Sequence, residues 1–89
     1  MLKRVNYVQS DRGFRVSFLN RKFMVYSEGE REVKFEAEAL STGYVIWSDS
    51  LRKWNSPYDL EEITAEKKTQ IMKNVAEALR FCSYQAWIR

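Results

Sequence analysis

Residues 31–40 read Arg-Glu-Val-Lys-Phe-Glu-Ala-Glu-Ala-Leu, and this stretch decides the fold. Apolar and charged residues alternate along it one by one, which is typical of a β-strand with one face in the core and one face in water. The apolar face carries Val33, Phe35, Ala37 and Ala39, and the charged face carries Glu32, Lys34, Glu36 and Glu38. The stretch therefore predicts an antiparallel sheet with one solvated face.

The preceding strand, residues 22–28, forms a hairpin with this stretch around Gly29, and the hairpin can adopt two registers. In the first, a two-residue turn pairs Glu28 with Arg31. That register places Phe23 and Val25 on the charged face, beside the glutamates.

In the second register, Gly29 forms a bulge in a three-residue loop and Tyr26 pairs with Glu30. Phe23 and Val25 then join the apolar face, and Met24 and Tyr26 lie beside the glutamates. We favour the bulge, because it buries more apolar area on one face. A shift of one residue inverts the choice.

Four further segments favour strands, because each combines alternation or β-forming residues with a turn at one end. These are residues 2–9, bounded by Ser10-Asp11-Arg12-Gly13, and residues 14–18, 44–47 and 84–88. Residues 49–59 are predicted to be irregular, since Asn55-Ser56-Pro57 combines turn formers with a residue that disfavours helix before it.

A helix is predicted from Ala65 to Phe81. Thr64 is a suitable N-cap, and Glu66 lies near the positive end of the helix dipole. One face of this helix is apolar and would pack on the sheet; it consists of Ile71, Val75, Ala78, Leu79 and Cys82.

Together these elements predict an α+β protein, with a mostly antiparallel sheet of five to six strands and one C-terminal helix packed on one face. A length of 89 residues, of which 45% are apolar and 15% aromatic, suits one hydrophobic core. We therefore expect residues 1–89 to form a single domain. The other face of the sheet is left for water or a partner.

The composition excludes most catalytic chemistry. Histidine is absent, and the single Cys82 can neither close an intramolecular disulfide nor build a thiolate metal site. The three glycines are isolated turn residues rather than a phosphate-binding loop. Glu36 and Glu38, about 7 Å apart on one strand face, are the only candidate acid–base pair, and such a row is more often plain solvation. We predict no enzyme activity, no metal and no cofactor.

The formal net charge of +3 hides a segregated pattern. Residues 1–22 carry +5 and residues 67–89 carry +4, whereas residues 23–48 and 49–66 each carry −3. The N-terminal cations would suit nucleic acid if they cluster on one face, and they would otherwise protect strand edges. A small nucleic-acid-binding module that uses these strands is the alternative interpretation; the residues are Arg4, Arg12, Arg15, Arg21 and Lys22, with Tyr7 nearby.

Our leading hypothesis is a protein-binding surface that combines acidic and aromatic residues. Carboxylates speed the encounter with a basic partner, whereas aromatic anchors hold the complex. For Trp54, which lies in the irregular segment, a core position is favoured over an interface. The predicted partner-binding residues are Tyr26, Glu28, Glu30, Glu32, Glu36, Glu38, Trp47 and Trp54.

The location follows from hydropathy. The first thirty residues contain no uninterrupted apolar segment, and no stretch reaches the roughly 18 apolar residues of a membrane span. We expect a cytoplasmic protein without membrane contact, in which Cys82 stays reduced. Pairing of residues 2–9 or 84–88 across a two-fold axis leaves a homodimer open.

Four segments carry a resemblance to a known family. They are residues 26–31 (Tyr-Ser-Glu-Gly-Glu-Arg), residues 50–57 (Ser-Leu-Arg-Lys-Trp-Asn-Ser-Pro), residues 63–66 (Ile-Thr-Ala-Glu) and residues 71–81. They resemble small α+β immunity proteins that are encoded beside bacterial polymorphic toxins, including those of contact-dependent growth inhibition. The similarity covers about residues 10–88, and it departs from the family pattern at Asn55, where the family favours Asp.

The resemblance implies a cytosolic, non-catalytic protein that binds one cognate toxin domain and blocks its active site or an exosite. Many such toxins are nucleases with cationic clefts, so we expect the acidic strand face to mimic a nucleic-acid backbone. The expected partner is therefore the toxin domain rather than nucleic acid or a membrane.

Overall fold

The seven strands of the sheet lie side by side in the same order as they occur along the chain. The computed structural model describes residues 1–89. The strands are β1 (Leu2–Lys3), β2 (Tyr7–Gln9), β3 (Phe14–Phe18), β4 (Phe23–Glu28), β5 (Arg31–Ala39), β6 (Gly43–Ile46) and β7 (Gln85–Ile88). One helix, α1 (Ala65–Phe81), lies between β6 and β7 in the chain. The α+β class is confirmed.

The sheet has seven strands instead of the predicted five to six, and it is mostly antiparallel, as predicted, with one parallel pair. Residues 2–9 are not one strand, because the N–H of Arg4 donates to the carbonyl of Tyr7 at 2.8 Å and turns the chain between β1 and β2. β7 runs parallel to β6, and the other neighbouring pairs are antiparallel. A crossover that contains a helix returns the chain to the end at which β6 began, so parallel pairing follows.

The hairpin of β4 and β5 has the two-residue turn, so the favoured bulge was wrong. Glu28 lies opposite Arg31, and Gly29 adopts a φ of 58°, which an L side chain rarely adopts. Met24 and Tyr26 lie opposite Phe35 and Val33 and are fully buried. Their predicted position beside the glutamates is therefore wrong.

The neighbouring strand β3 gives the physical reason for this register. Val16 of β3 lies opposite Tyr26, whereas Ser17 lies opposite Val25. Only the observed register therefore continues the apolar face of β3 into β4 and β5 without interruption. The bulge buries more apolar area only when β4 and β5 are considered without β3.

The helix α1 covers the apolar face of the sheet and begins and ends at the predicted residues. The side-chain oxygen of Thr64 accepts a hydrogen bond from the N–H of Lys67 at 3.1 Å, which confirms the predicted N-cap. Ile71, Val75, Ala78 and Leu79 are completely buried against the sheet, within a core cluster of 17 residues. No helix is long and apolar enough to cross a membrane.

The irregular segment after β6 covers an open edge of β5. The N–H of Asn55 donates to the carbonyl of Glu32 at 2.7 Å, and the N–H of Glu36 donates to the hydroxyl of Ser50 at 2.9 Å. Leu51 and Trp54 point into the core from the same segment and anchor it. The central part of β5 is therefore held on both sides, by β4 and by this segment.

Candidate protein-binding site

The sheet face that points away from α1 is charged at β5, as predicted. Glu32, Lys34, Glu36 and Glu38 are all exposed, whereas Val33, Phe35 and Ala37 are buried and Ala39 is half-buried. None of the three glutamates takes part in an ion pair, since the ion pairs of the chain involve other carboxylates. Their charges are therefore free to meet a partner.

Trp47 lies on this face, directly after β6. Its N–H donates to the carbonyl of Glu36 at 3.0 Å, so the chain continues the pairing of β6 with β5 by one residue. The side chain is 40% exposed. Trp47 borders a cleft of about 460 Å³, called the Trp47 cleft below, which is lined by Arg21, Lys22, Phe23, Glu36, Ala37, Glu38, Ala39 and Trp47.

The Trp47 cleft has walls of opposite charge. Residues 21–22 run beside β5, because the N–H groups of Ala37 and Ala39 donate to the carbonyls of Lys22 and Arg21 at 2.8 and 3.1 Å. One wall therefore carries two cations, and β5 supplies two carboxylates. The sequence predicts an acidic face, but at this cleft the face carries both positive and negative charges.

Lys34 interrupts the glutamate row, but its charge is directed at an aromatic ring. Its Nζ lies 4.2 Å from the centre of the Phe23 ring. At an exposed site such a cation–π contact contributes about 0.5–1 kcal/mol. It fixes the half-buried Phe23 at the side of the cleft, close to Glu36, which lies opposite it in the strand pairing.

The backbone beneath Trp47 is held in place by its neighbours. A 3₁₀ turn follows at Ser48–Ser50, and the hydroxyl and the N–H of Ser50 donate to the carbonyl of Trp47 at 2.6 and 3.1 Å. A second hollow of about 450 Å³ continues from the cleft past Glu36, Trp47, Asp49, Ser50 and Arg52. Trp47 therefore stands between two hollows on a fixed backbone.

Two of the predicted residues lie on the other side of the sheet, facing α1. The hydroxyl of Tyr26 donates to Glu28 at 2.8 Å and accepts from Nδ2 of Asn74 at 2.9 Å, and Glu28 forms an ion pair with Lys67. Burial is the main cause that raises the pKa of Tyr26 well above its usual value. These two residues connect β4 to the helix, and neither of them lines the Trp47 cleft.

Glu30 and Trp54 have other surroundings. Glu30 lies in the turn and accepts a hydrogen bond from the hydroxyl of Tyr58 at 2.8 Å, which raises the pKa of Tyr58. Trp54 is 5% exposed and lies in the core, the position that the sequence favoured. Of the eight predicted residues, the structure brings Glu36, Glu38 and Trp47 together, with Glu32 further along the same face.

Sequence reasoning missed Phe23, Arg21 and Lys22 as parts of the site. The two-residue turn, which the sequence allowed, places Phe23 opposite Glu36, so this register would have found it. Asp49 was also missed, because the irregular segment carries no pattern that fixes its direction.

The N-terminal cations do not form one patch. Arg12 makes an ion pair with Glu77 of α1. Arg15 lies on the outer face, with its guanidinium 3.9 Å from the centre of the Tyr7 ring. Arg21 lies at the opposite end of the β3–β4 hairpin from Arg12. Arg12, Arg15 and Arg21 therefore lie at three separate places on the structure.

The structure is that of a small α+β protein with an exposed tryptophan in a cleft lined by cations and carboxylates. Comparison with protein families gives a match to the model described as Immunity protein 74 over residues 15–85, a range that contains the whole cleft. The chain therefore belongs to the Immunity protein 74 family, which confirms the resemblance to immunity proteins of toxin systems. No significant match was found among curated proteins or among solved structures.

Proposed function

We propose that this immunity protein neutralises its cognate toxin by direct, non-catalytic contact through the Trp47 cleft. The observation that carries the proposal is the 40% exposure of Trp47 in one cleft with the carboxylates of Glu36 and Glu38, neither of which is in an ion pair. Exposed tryptophans on fixed backbones are typical interface hot spots, because they bury a large area at little cost in side-chain entropy. The membership of the family supports the general role.

The charges of β5 favour a toxin with a basic surface. Glu32, Glu36 and Glu38 are solvated in the free protein and would pair with cations of the toxin. Such pairs accelerate association more than they raise affinity. A nuclease is the class of toxin that fits best, since its substrate-binding cleft is cationic.

The first experiment identifies the partner. The tagged protein is expressed in the producing strain, recovered by pull-down and analysed by mass spectrometry. We expect a fragment of a large secreted toxin. Recovery of no toxin fragment, under conditions in which the toxin is expressed, would count against the proposal. Steeply salt-dependent binding of single-stranded nucleic acid by the isolated protein would favour the alternative function.

The second experiment tests the cleft with the toxin so identified. The double variant Glu36→Lys and Glu38→Lys should associate about tenfold more slowly at low salt, with a flatter dependence of the association rate on salt. Glu62→Lys is the matched control, because Glu62 is exposed and lies outside the cleft. Unchanged association kinetics in the double variant would contradict the role of the acidic residues.

A further inference from the structure

β7 is an edge strand of the sheet. It pairs with β6 on one side, and no strand lies beyond it in the sheet order. The N–H of Gln85 donates to the carbonyl of Thr42 at 3.0 Å, and the N–H of Arg89 donates to the carbonyl of Ile46 at 2.8 Å. Backbone groups alternate in direction along a strand, so those of Ala86 and Ile88 point to the open edge.

The edge lacks the usual protection against a further strand. Natural edge strands carry charges, prolines or bulges. β7 reads Gln-Ala-Trp-Ile and has none of these within its bounds. Trp87 is 36% exposed on the outer face and Ile88 is 45% exposed on the face of α1. Both backbone and side chains of this edge are therefore available for pairing.

A basic groove lies between α1 and the C-terminal end of β7, where Ile88 lines it. It has a volume of about 700 Å³, and Met72, Ala76 and Ile88 form its apolar part. Lys68, Lys73 and Arg80 line it, and none of them is in an ion pair. The one carboxylate of the groove, Glu77, is neutralised by Arg12.

We infer that the edge of β7 binds an extended acidic segment of a protein partner as an added strand. The segment would pair with the backbone of Ala86 and Ile88, and its side chains would alternate between the two faces of the sheet. Those on the helix face would carry carboxylates towards Lys73 and Arg80. Those on the outer face would be apolar and pack beside Trp87.

Charge decides between this partner and a second copy of the chain. A copy paired through β7 across a two-fold axis would bring its own basic groove close to the first one. The cations of the two grooves would repel each other, whereas the carboxylates of an acidic strand would be attracted to the cations of one groove. The inference does not depend on the Trp47 cleft, because no residue that lines the cleft belongs to β7 or lines the basic groove.

The test uses two synthetic peptides, each six residues long and blocked at both ends. One alternates glutamate with valine, and the other alternates lysine with valine. Binding is followed by the amide chemical shifts of the full chain in NMR titrations. We expect the glutamate peptide to shift the amide signals of Ala86 and Ile88 and to bind at least tenfold more tightly than the lysine peptide.

Variants separate the two parts of the inference. The double variant Lys73→Glu and Arg80→Glu should weaken binding of the glutamate peptide at least tenfold. The control Lys53→Glu, at an exposed residue outside the groove, should change the affinity less than twofold. Ile88→Pro removes the N–H that points to the open edge and should also weaken binding. Ile88→Ala keeps that N–H and is its control.

Several results would overturn the inference. These are equal binding of both peptides, glutamate-peptide binding that survives the double charge reversal, and no binding at all. A concentration-dependent dimer, with the shifts at Ala86 and Ile88 present before any peptide is added, would assign the edge to a second copy instead. Since no toxin is used, each of these results is independent of the experiments on the Trp47 cleft.

Discussion

The hydroxyl of Tyr26 donates a hydrogen bond to Oε1 of Glu28, two residues further along the same strand, with 2.8 Å between the two oxygens. Both side chains therefore lie on the face of β4 that is covered by α1. The same hydroxyl accepts a hydrogen bond from Asn74 of the helix, and the ring stacks on Phe14 with 5.8 Å between the ring centres. A residue that is polar at its tip is thereby fully accommodated in the core.

Replacement of Tyr26 by Phe should destabilise the protein by about 1–2 kcal/mol, because the partners of the hydroxyl lose a hydrogen bond in a partly buried place. The measurement is urea unfolding followed by circular dichroism. Tyr58→Phe is the control, since its hydrogen bond to Glu30 is exposed; it should cost less than about 0.5 kcal/mol. Equal losses in the two variants would show that burial of the network has no energetic weight.

Alkaline pH should destabilise the protein through the same hydroxyl. An unfolded tyrosine ionises near pH 10, whereas burial raises the pKa of Tyr26 in the folded protein. The folded state then holds a proton that the unfolded state releases, so stability is complete below about pH 10 and falls as the pH rises further.

The measurement is the free energy of unfolding between about pH 9 and 11. Tyr26→Phe should show a smaller decrease than the unchanged protein over this interval. Tyr44 and Tyr58, whose pKa values are also raised, contribute a background common to both proteins. An identical decrease in both proteins would exclude Tyr26 as a source of the pH dependence.

Truncation of Trp54 should destabilise the protein far more than truncation of Trp47. Trp54→Ala removes a side chain of which only 5% is exposed. It should lower the free energy of unfolding by about 3–5 kcal/mol, because apolar burial is lost and a cavity is left. Trp47→Ala removes an exposed side chain and should cost less than about 1 kcal/mol. Chemical denaturation of the two variants side by side measures this difference. A large loss for Trp47→Ala would mean that Trp47 serves the fold rather than a partner.

Trp47 contributes little to the predicted stability, but it should contribute strongly to toxin binding. Under the proposed function, Trp47→Ala should weaken toxin binding by about 2 kcal/mol or more, which is roughly a 30-fold rise in the dissociation constant. The change should lie mainly in the dissociation rate, measured by surface plasmon resonance. Leu60→Ala is the control, because Leu60 is exposed and lies outside the cleft. An unchanged dissociation rate in Trp47→Ala would remove the cleft from the interface.

The N-cap of α1 gives a prediction with a control on the same helix. Thr64→Ala removes the acceptor of the Lys67 N–H and should cost about 1 kcal/mol. Thr69→Ala changes a threonine whose hydroxyl donates to the carbonyl of Ala65, and it should cost nothing or stabilise slightly, because alanine is the better helix former. Thermal unfolding of both variants is sufficient, and a similar loss in both would contradict the capping role.

The helix could be predicted to the residue because its signals are local. Thr64 supplies a cap, and the apolar positions from Ile71 to Leu79 repeat at helical spacing. The alternation of β5 is equally local, and its solvated face was predicted correctly. In both elements, neighbours in the sequence determine which side chains are buried.

The β4–β5 register and the Trp47 cleft depend on distant residues. The hydroxyl of Tyr26 has partners in Glu28 and in Asn74, and Asn74 is 48 residues away in the sequence. Phe23 can stay on the charged face because Lys34 lies over its ring. Neither of these side-chain contacts can be deduced from the apolar area on each face. Apolar area alone therefore favours the wrong register, which places Tyr26 instead of Phe23 beside the glutamates.

The sequential order of the strands has a consequence for synthesis. Strands β1 to β6 leave the ribosome before α1, yet α1 is the element that covers their apolar face. Translation from Ile46 to Phe81 takes roughly 2–7 s at about 5–20 residues per second. Until α1 has been made, the helix side of the core that buries Val16, Met24 and Phe35 in the complete fold is missing. The sheet therefore depends, for the burial of its apolar face, on a helix that is synthesised after six of its seven strands.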